Sequence, residues 1–364
     1  MKQLVRLILF LFLSLLLVNC TANQANQPTT ATNPPVTSTP GPIPFKIATA
    51  NSAGSWYSIG RTIANQIAEN NPKLKVSAIP SKNVMENLKL LASDKASLVF
   101  GYDYHVRLAN QGRLMSAFPD AKPEKINIKC GVEITRMPFP DYSQPMRIVL
   151  PLYELPIQIV TTAGSGISSL ADMKGKRIST GEPGSISAEL AGYIFNSFGL
   201  SMERDITRTQ TGLRDSIGAL NEGSIDAFMW SGEAPTPEIA ELATKDGVQI
   251  VLVPIAGEDA IRIMAANPGI FHPANLPSGS YTGVATDIGS LAISVVLISM
   301  EDTKAEIINS VVKSFFENRA EFTATWPGAA NLSPEYSLAL LDAEGLALLH
   351  TGSKQFYEDN GLLK

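Results

Sequence analysis

Apolar and polar residues alternate with period two over residues 45–50 (FKIATA), then Ile59, Ile63 and Ile67 recur at helical spacing until Asn70, Asn71 and Pro72 end the pattern. The sequence therefore predicts strand, turn and helix, the helix covering 56–69. A second strand (KVSAIP), a helix over 83–95 and a third strand (ASLVFGY) follow, which makes a β-α-β-α-β unit. Such units build parallel sheets whose crevice lies at the carboxyl ends of the strands. Beyond Gly112 come some thirty Pro-rich residues of weak periodicity, and then MRIVLPLYELPIQIVTT from Met146, which reads as two consecutive strands, the second leaving the first lobe.

The next stretch repeats the scheme: strand KRISTG, helices over 185–200 and 213–223, strand SIDAFMW, a helix over 236–247 and strand QIVLVPI. The last third holds the apolar run SLAISVVLISM and two helical patterns, 303–322 and 334–345, which return to the first lobe. A body of 320 residues is long for one ordinary core, so the expectation is an α/β protein of two lobes around a hinged cleft. Lobe 1 is placed at 45–155 and 285–364, and lobe 2 at 156–284.

The N-terminus is of another kind. Lys2 and Arg6 precede an apolar run over 7–18, shorter than the ~20 residues of a spanning helix, so residues 1–19 read as a signal peptide. Cys20 follows directly in LLVNC, which resembles the lipobox of bacterial lipoproteins, where that Cys is acylated, although Asn19 stands where Gly, Ala or Ser is usual. The alternative is a secreted protein cut nearby with Cys20 free. Residues 20–44 are rich in Pro, Thr and Asn and carry no charge or aromatic ring, the composition of an unfolded tether. The expected location is extracytoplasmic, on a membrane through lipidated Cys20.

Charge and chemistry narrow the function. The chain has 29 Lys and Arg against 34 Asp and Glu; loss of Lys2 and Arg6 leaves 27 against 34, a formal −7, which disfavours nucleic acid as a partner. Cys130, the remaining thiol, lies in an apolar alternating stretch and reads as buried and structural. The three His, at 105, 272 and 350, lack the spacing of a metal or nucleophile motif, so no cofactor, metal or catalytic set is expected. Asp103 and His105, after the third strand, form the one candidate acid and base pair, against a structural His as the alternative.

Three Gly/Ser turns carry the binding hypothesis. In the first, Asn51, Ser52, Gly54 and Ser55 lie between a strand and a helix N-terminus, where free N–H groups and the helix dipole favour an anion, with Trp56 and Tyr57 as walls. A plain helix cap with core aromatics is the alternative. In the second, Ser81, Lys82 and Asn83 occupy the equivalent turn, Lys82 either pairing with a ligand acid or staying solvated. The third turn, in lobe 2, holds Gly181, Pro183, Gly184, Ser185 and Ser187; no Walker spacing follows, which disfavours a nucleotide. Trp230 ends a lobe 2 strand and faces either cleft or core.

Several segments together resemble the TAXI family, the extracytoplasmic solute receptors of one class of TRAP transporters. They are GSWYSIGRTIANQI, VMENLKLLASDKASLVF, LYELPIQIV, the run from Gly166 to Phe195, GALNEGSIDAFM and the closing LLHTGSKQFYEDNG. The resemblance implies a type II periplasmic-binding-protein fold that closes on a small organic anion, a glutamate-like amino acid or a dicarboxylate. It further implies delivery to a fused TRAP membrane subunit without chemistry on the solute; the alternatives are an ABC-importer-type or sensory solute-binding protein of the same fold, or an enzyme on this fold. Where the family commonly has TGGTGG and TGGSVEN, this chain has TANSAGS and PSKNVMEN. Gly181, Pro183, Gly184 and Ser185 match the family's second-lobe loop.

Overall fold

A computed structural model describes residues 41–52, 54–112, 124–128, 132–136 and 145–364. Cys20, the signal and nearly all of the tether, and Cys130, lie outside the described residues.

The first unit runs β1 (Ile43–Ala48), α1 (Ser55–Asn70), β2 (Leu74–Ile79), α2 (Val84–Ala92), β3 (Leu98–Tyr102) and α3 (Asp103–Asn110). β1 pairs in parallel with β2 on one side and β3 on the other. β4 (Glu124–Ile128) and β5 (Val132–Arg136) pair antiparallel as a separate two-stranded sheet. The run from Met146 is one strand, not the two expected: β6 (Met146–Thr162). Its first part pairs antiparallel with β12 (Ile288–Met300), up to the couple Ala292 and Pro156. From Ile157 onward β6 pairs instead with β9 (Ala227–Ser231), and at its end with β10 (Ile250–Leu252).

A second β-α-β series follows. β7 (Arg177–Ser179), α4 (Ile186–Ser197), β8 (Thr207–Thr209), α5 (Leu213–Asn221), β9 and α6 (Pro237–Ala243) repeat the β-α-β scheme, with β7 parallel to both β8 and β9. The strand orders are β2-β1-β3-β12-β6 and β8-β7-β9-β6-β10, so each parallel sheet takes in one antiparallel strand from the crossing segments. That order is the two-lobed type II periplasmic-binding-protein arrangement expected from the sequence. α7 (Gly257–Ala266) and β11 (His272–Leu276) lead back to β12, and α8 (Ala305–Glu317), α9 (Arg319–Thr325), α10 (Pro334–Ala339), α11 (Ala343–Ala347) and α12 (Thr351–Asp359) finish the chain.

Both crossing strands are buried over almost their whole length, because helices cover both sheet faces. Two patterns that read as single helices are broken by side-chain caps. Asn318 Nδ2 donates to the Ser314 carbonyl at 2.9 Å and ends α8, and Asp342 accepts from Gly345 N–H at 2.8 Å and starts α11. Arg107 on α3 is 4% exposed and answers three carboxylates, Asp103 at 3.2 Å, Asp342 at 2.8 Å and Glu344 at 3.0 Å. Asp103 also accepts the Ser294 N–H of β12 at 3.2 Å, so it is a strut inside lobe 1 and not an acid in the cleft. Burial raises its carboxyl above the ordinary range, against the pull of Arg107.

The last helix packs most tightly at Gly352, where an added β-carbon would stand 2.2 Å from the Ala305 carbonyl oxygen and 2.9 Å from Asn309 N. Both neighbours are backbone and cannot rotate away. Gly352→Ala is therefore expected to destabilise the fold by about 1–3 kcal/mol, the scale of core overpacking. Urea unfolding measures this, and a midpoint equal to wild type would refute the close approach of α12 to α8.

Candidate functional site

The carboxyl ends of β1, β2, β3 and β7 open on a cavity of about 400 Å³. Eight residues expected from the three turns line it: Gly54, Ser55, Trp56, Lys82, Asn83, Pro183, Gly184 and Ser185. The turns of both lobes thus meet at one place. Gly181, Ser187 and Trp230 line a smaller cavity of about 170 Å³, which shares Glu182 and Ser185 with the first. Asn51 and Ser52 are exposed on the β1–α1 turn, and Tyr57 is half-buried; none of the three is among the residues lining either cavity. Ser81 is buried, its hydroxyl donating to the Thr49 carbonyl at 3.3 Å, so it closes the turn from inside.

Local chemistry explains how these residues are held. Gly54 caps α1 without any side-chain hydrogen bond, which leaves the first-turn N–H groups without an acceptor from a capping side chain. Trp56 in that first turn stacks on Phe100 at 5.3 Å and donates its indole N–H to the Tyr153 hydroxyl at 2.7 Å. It is a fixed wall. Asn83 caps α2 by accepting Glu86 N–H at 3.0 Å, while Glu86 reaches back to accept the N–H of Lys82, just before the cap, at 2.6 Å. Behind it, fully buried Asn87 donates to the carbonyls of Thr49 at 2.6 Å and Phe100 at 2.9 Å, tying the ends of β1 and β3 to α2.

The lobe 2 turn is built the same way. Ser185 Oγ accepts Ala188 N–H at 3.2 Å as the α4 cap, and Ser187 Oγ accepts Ser231 N–H at 3.1 Å, pinning α4 to β9. Gly181 has φ +91°, and a β-carbon there would stand 2.8 Å from Ser187 Cβ. Gly184, with φ +78°, faces Asn83 Nδ2 of lobe 1 across the cleft, 3.7 Å from where its β-carbon would be. Several side chains expected to meet a ligand are thus committed to the scaffold. Trp230 folds over its own strand end, its indole nitrogen 2.3 Å from the position of a β-carbon at Gly232.

Seven lining residues were not singled out from the turns, among them Tyr102, Glu182 and Glu189. Glu189, in the first turn of α4, accepts the Tyr104 hydroxyl of lobe 1 at 2.5 Å and lies 3.5 Å from His105 Nε2. Tyr104 and His105 pack ring to ring at 4.2 Å, with Tyr102 stacked on Tyr104 at 5.9 Å. Burial pushes the Tyr102 and Tyr104 hydroxyls up, and the Glu189 charge pushes them further, so both stay protonated. His105 is buried in this ring cluster while Asp103 turns to Arg107, so the acid and base pair raised by the sequence does not form in the cleft. Among the described residues no group of three His, Cys, Asp or Glu is placed to hold a metal ion.

The charged side chains lining the cavity where the turns meet are one cation, Lys82, and two carboxylates, Glu182 and Glu189. Glu182 reaches over the α5 N-terminus: a β-carbon at Gly212 would be 2.6 Å from its Oε1.

Among solved structures, the chain is similar to XAC2383 from Xanthomonas citri bound to ATP, with a TM-score of 0.50 and 9% identity over 88% of this chain and 99% of that one. It is also similar to the periplasmic aliphatic sulphonate binding protein SsuA from Escherichia coli, with a TM-score of 0.43 and 15% identity over 89% and 95%. The alkanesulfonate-binding protein SsuA from Xanthomonas axonopodis pv. citri bound to MOPS gives a TM-score of 0.40 and 18% identity over 90% and 96%. Such identities speak to fold alone. The NMT1-like family pattern, in contrast, matches residues 136–361, more than half of the sequence, and the chain belongs to the NMT1-like family.

Proposed function

We propose that this protein is an extracytoplasmic solute receptor, not an enzyme, which binds a small amino acid between its lobes and hands it to a membrane transporter. The observation that carries this is the meeting of Gly54 to Trp56, Lys82 and Asn83 of one lobe with Pro183 to Ser185 of the other around a single cavity. A binding site divided between two lobes converts occupancy into closure, and the closed form is what a partner can recognise. One lobe comprises 45–155 with 285–364, and the other 156–284.

Within the small organic anions implied by the TAXI resemblance, the lining favours a glutamate-like amino acid over a dicarboxylate. Lys82 and the α1 N-terminus suit a carboxylate, whereas Glu182 and Glu189 suit the ammonium group that a glutamate-like amino acid has and a plain dicarboxylate lacks. The cavity is of the size usual for small-molecule sites. The TRAP-type partner, a fused membrane subunit, rests on the sequence resemblance, and the anchor rests on Cys20 in its lipobox-like context. Among the described residues no helix is long and apolar enough to cross a membrane.

Titration of the purified protein with glutamate is expected to raise its thermal midpoint, since saturation at a hundredfold excess over Kd is worth about 2.7 kcal/mol. Succinate is expected to bind at least about tenfold more weakly; equal binding removes the ammonium role, and silence across a panel of amino acids sinks the receptor reading. Lys82→Ala, at an exposed position, should change stability by less than about 0.5 kcal/mol and weaken amino-acid binding about tenfold, roughly 1.4 kcal/mol. Unchanged affinity in calorimetry would place the carboxylate elsewhere. Finally, Cys20→Ala should move the protein from the membrane fraction to the soluble fraction, and retention on the membrane would disprove the anchor.

A further inference from the structure

We propose that a second cavity, at the crossover between the lobes, binds an organic ammonium group between aromatic rings and two carboxylates. It encloses about 230 Å³ and is lined by Tyr153 and Glu154 of β6, Glu233 just past β9, and Trp326 and Tyr336 near the chain's end. Neither Lys, Arg nor His is among its lining residues. The rings and acids are organised with one another: Trp326 donates its indole N–H to Glu233 at 3.1 Å, and its ring lies 4.8 Å from that of Tyr153. Glu154 is 3.3 Å from His272 Nε2, which stands outside the lining.

Three properties select the ligand class. Aromatic rings beside carboxylates attract a cation through ring quadrupole and charge together, which suits an alkylated ammonium with an apolar surface. A bare metal ion would want more hard ligands than two acids, and no three-residue acid or His group is placed for one among the described residues. The volume admits a small alkylammonium and no large base. The Tyr336 hydroxyl is pushed up first by burial and then by both Glu154 and Glu233, so the two negative charges are felt at the same ring.

The location gives such binding a consequence. Glu233 belongs to the lobe 2 sheet end, whereas Trp326 and Tyr336 come from the helices that follow β12, so an occupant joins the two lobes. Tyr153 also accepts the hydrogen bond from Trp56, which lines the first cavity. One hydrogen-bonded ring pair therefore stands between the two cavities.

Tetramethylammonium chloride titrated calorimetrically into the full chain, at ionic strength held constant with sodium chloride, tests the assignment. Saturable binding is expected, weakened about tenfold by Tyr336→Ala and by Glu233→Gln, the scale of one cation–π or charge contact. Tyr336 is 38% exposed, so its loss leaves the core intact, and the amide oxygen that Glu233→Gln introduces still accepts from Trp326. No saturable binding to wild type, equal heats from sodium chloride alone, or wild-type affinity in both variants would each overturn the proposal.

Discussion

The pairing of β6 with β12, and its exchange for β9 at Pro156, is the constraint on which the molecule depends. The first sheet takes β12 as its antiparallel strand and the second takes β6, and β6 is hydrogen-bonded in both, so the two sheets share one strand. Backbone groups buried without partners are costly, which makes the exchange point the place where the chain can least tolerate error. Proline manages it. Pro156 is the last partner of β12 before the change, and Pro151 sits at the register shift between Val295 and Val296, so the missing N–H groups fall where the ladder is already interrupted.

From this one strand the position of the site follows. With both sheets fixed to β6, the carboxyl ends of their parallel strands face each other and their turns can only meet between the lobes. Holding the turns open at that meeting place takes hydrogen bonds, and the hydroxyl and amide side chains supply them: Ser81, Asn83, Asn87, Ser185 and Ser187 all bond to backbone. On the proposed function, recognition falls to backbone N–H groups, to Trp56 and to the charges of Lys82, Glu182 and Glu189, which line the cavity. A rigid lining with few free rotors loses little entropy when a ligand arrives.

How far the sequence discloses this depends on the range of the interaction. The main strands and helices of both β-α series and the meeting of the three turns were legible, because period and turn composition are local and the β-α scheme places every such turn at one sheet edge, whereas short β8 and the helices α3 and α7 went unread. The unity of β6 was not, since Pro151 and Pro156 read as breaks unless the partner strands are known. The caps at Asn318 and Asp342 cut two apolar patterns that periodicity joins. Glu189 was invisible as a lining residue because its neighbours, Tyr104 and His105, are some eighty-five positions away in sequence and in the other lobe. Hydroxyls near a helix start were seen, but whether they cap or face a ligand is decided by a fraction of a turn.

Two interlobe contacts then tie the cavities to the conformation. Tyr104 to Glu189 crosses beside the first cavity, and Trp326 to Glu233 crosses beside the second. Each uses a carboxylate that also faces the space a solute would fill, so solute and interlobe contact act on the same charge. If the lobes separate, both acids regain water and lose their ring partners; if they close, an ammonium group beside either acid replaces that lost solvation. On the two proposed sites, occupation of one cavity would favour the same closed arrangement that builds the other, and linkage requires any such effect to be equal in both directions. The Trp56 to Tyr153 hydrogen bond joins the two cavities directly, because the indole that walls the first is held by the ring that walls the second.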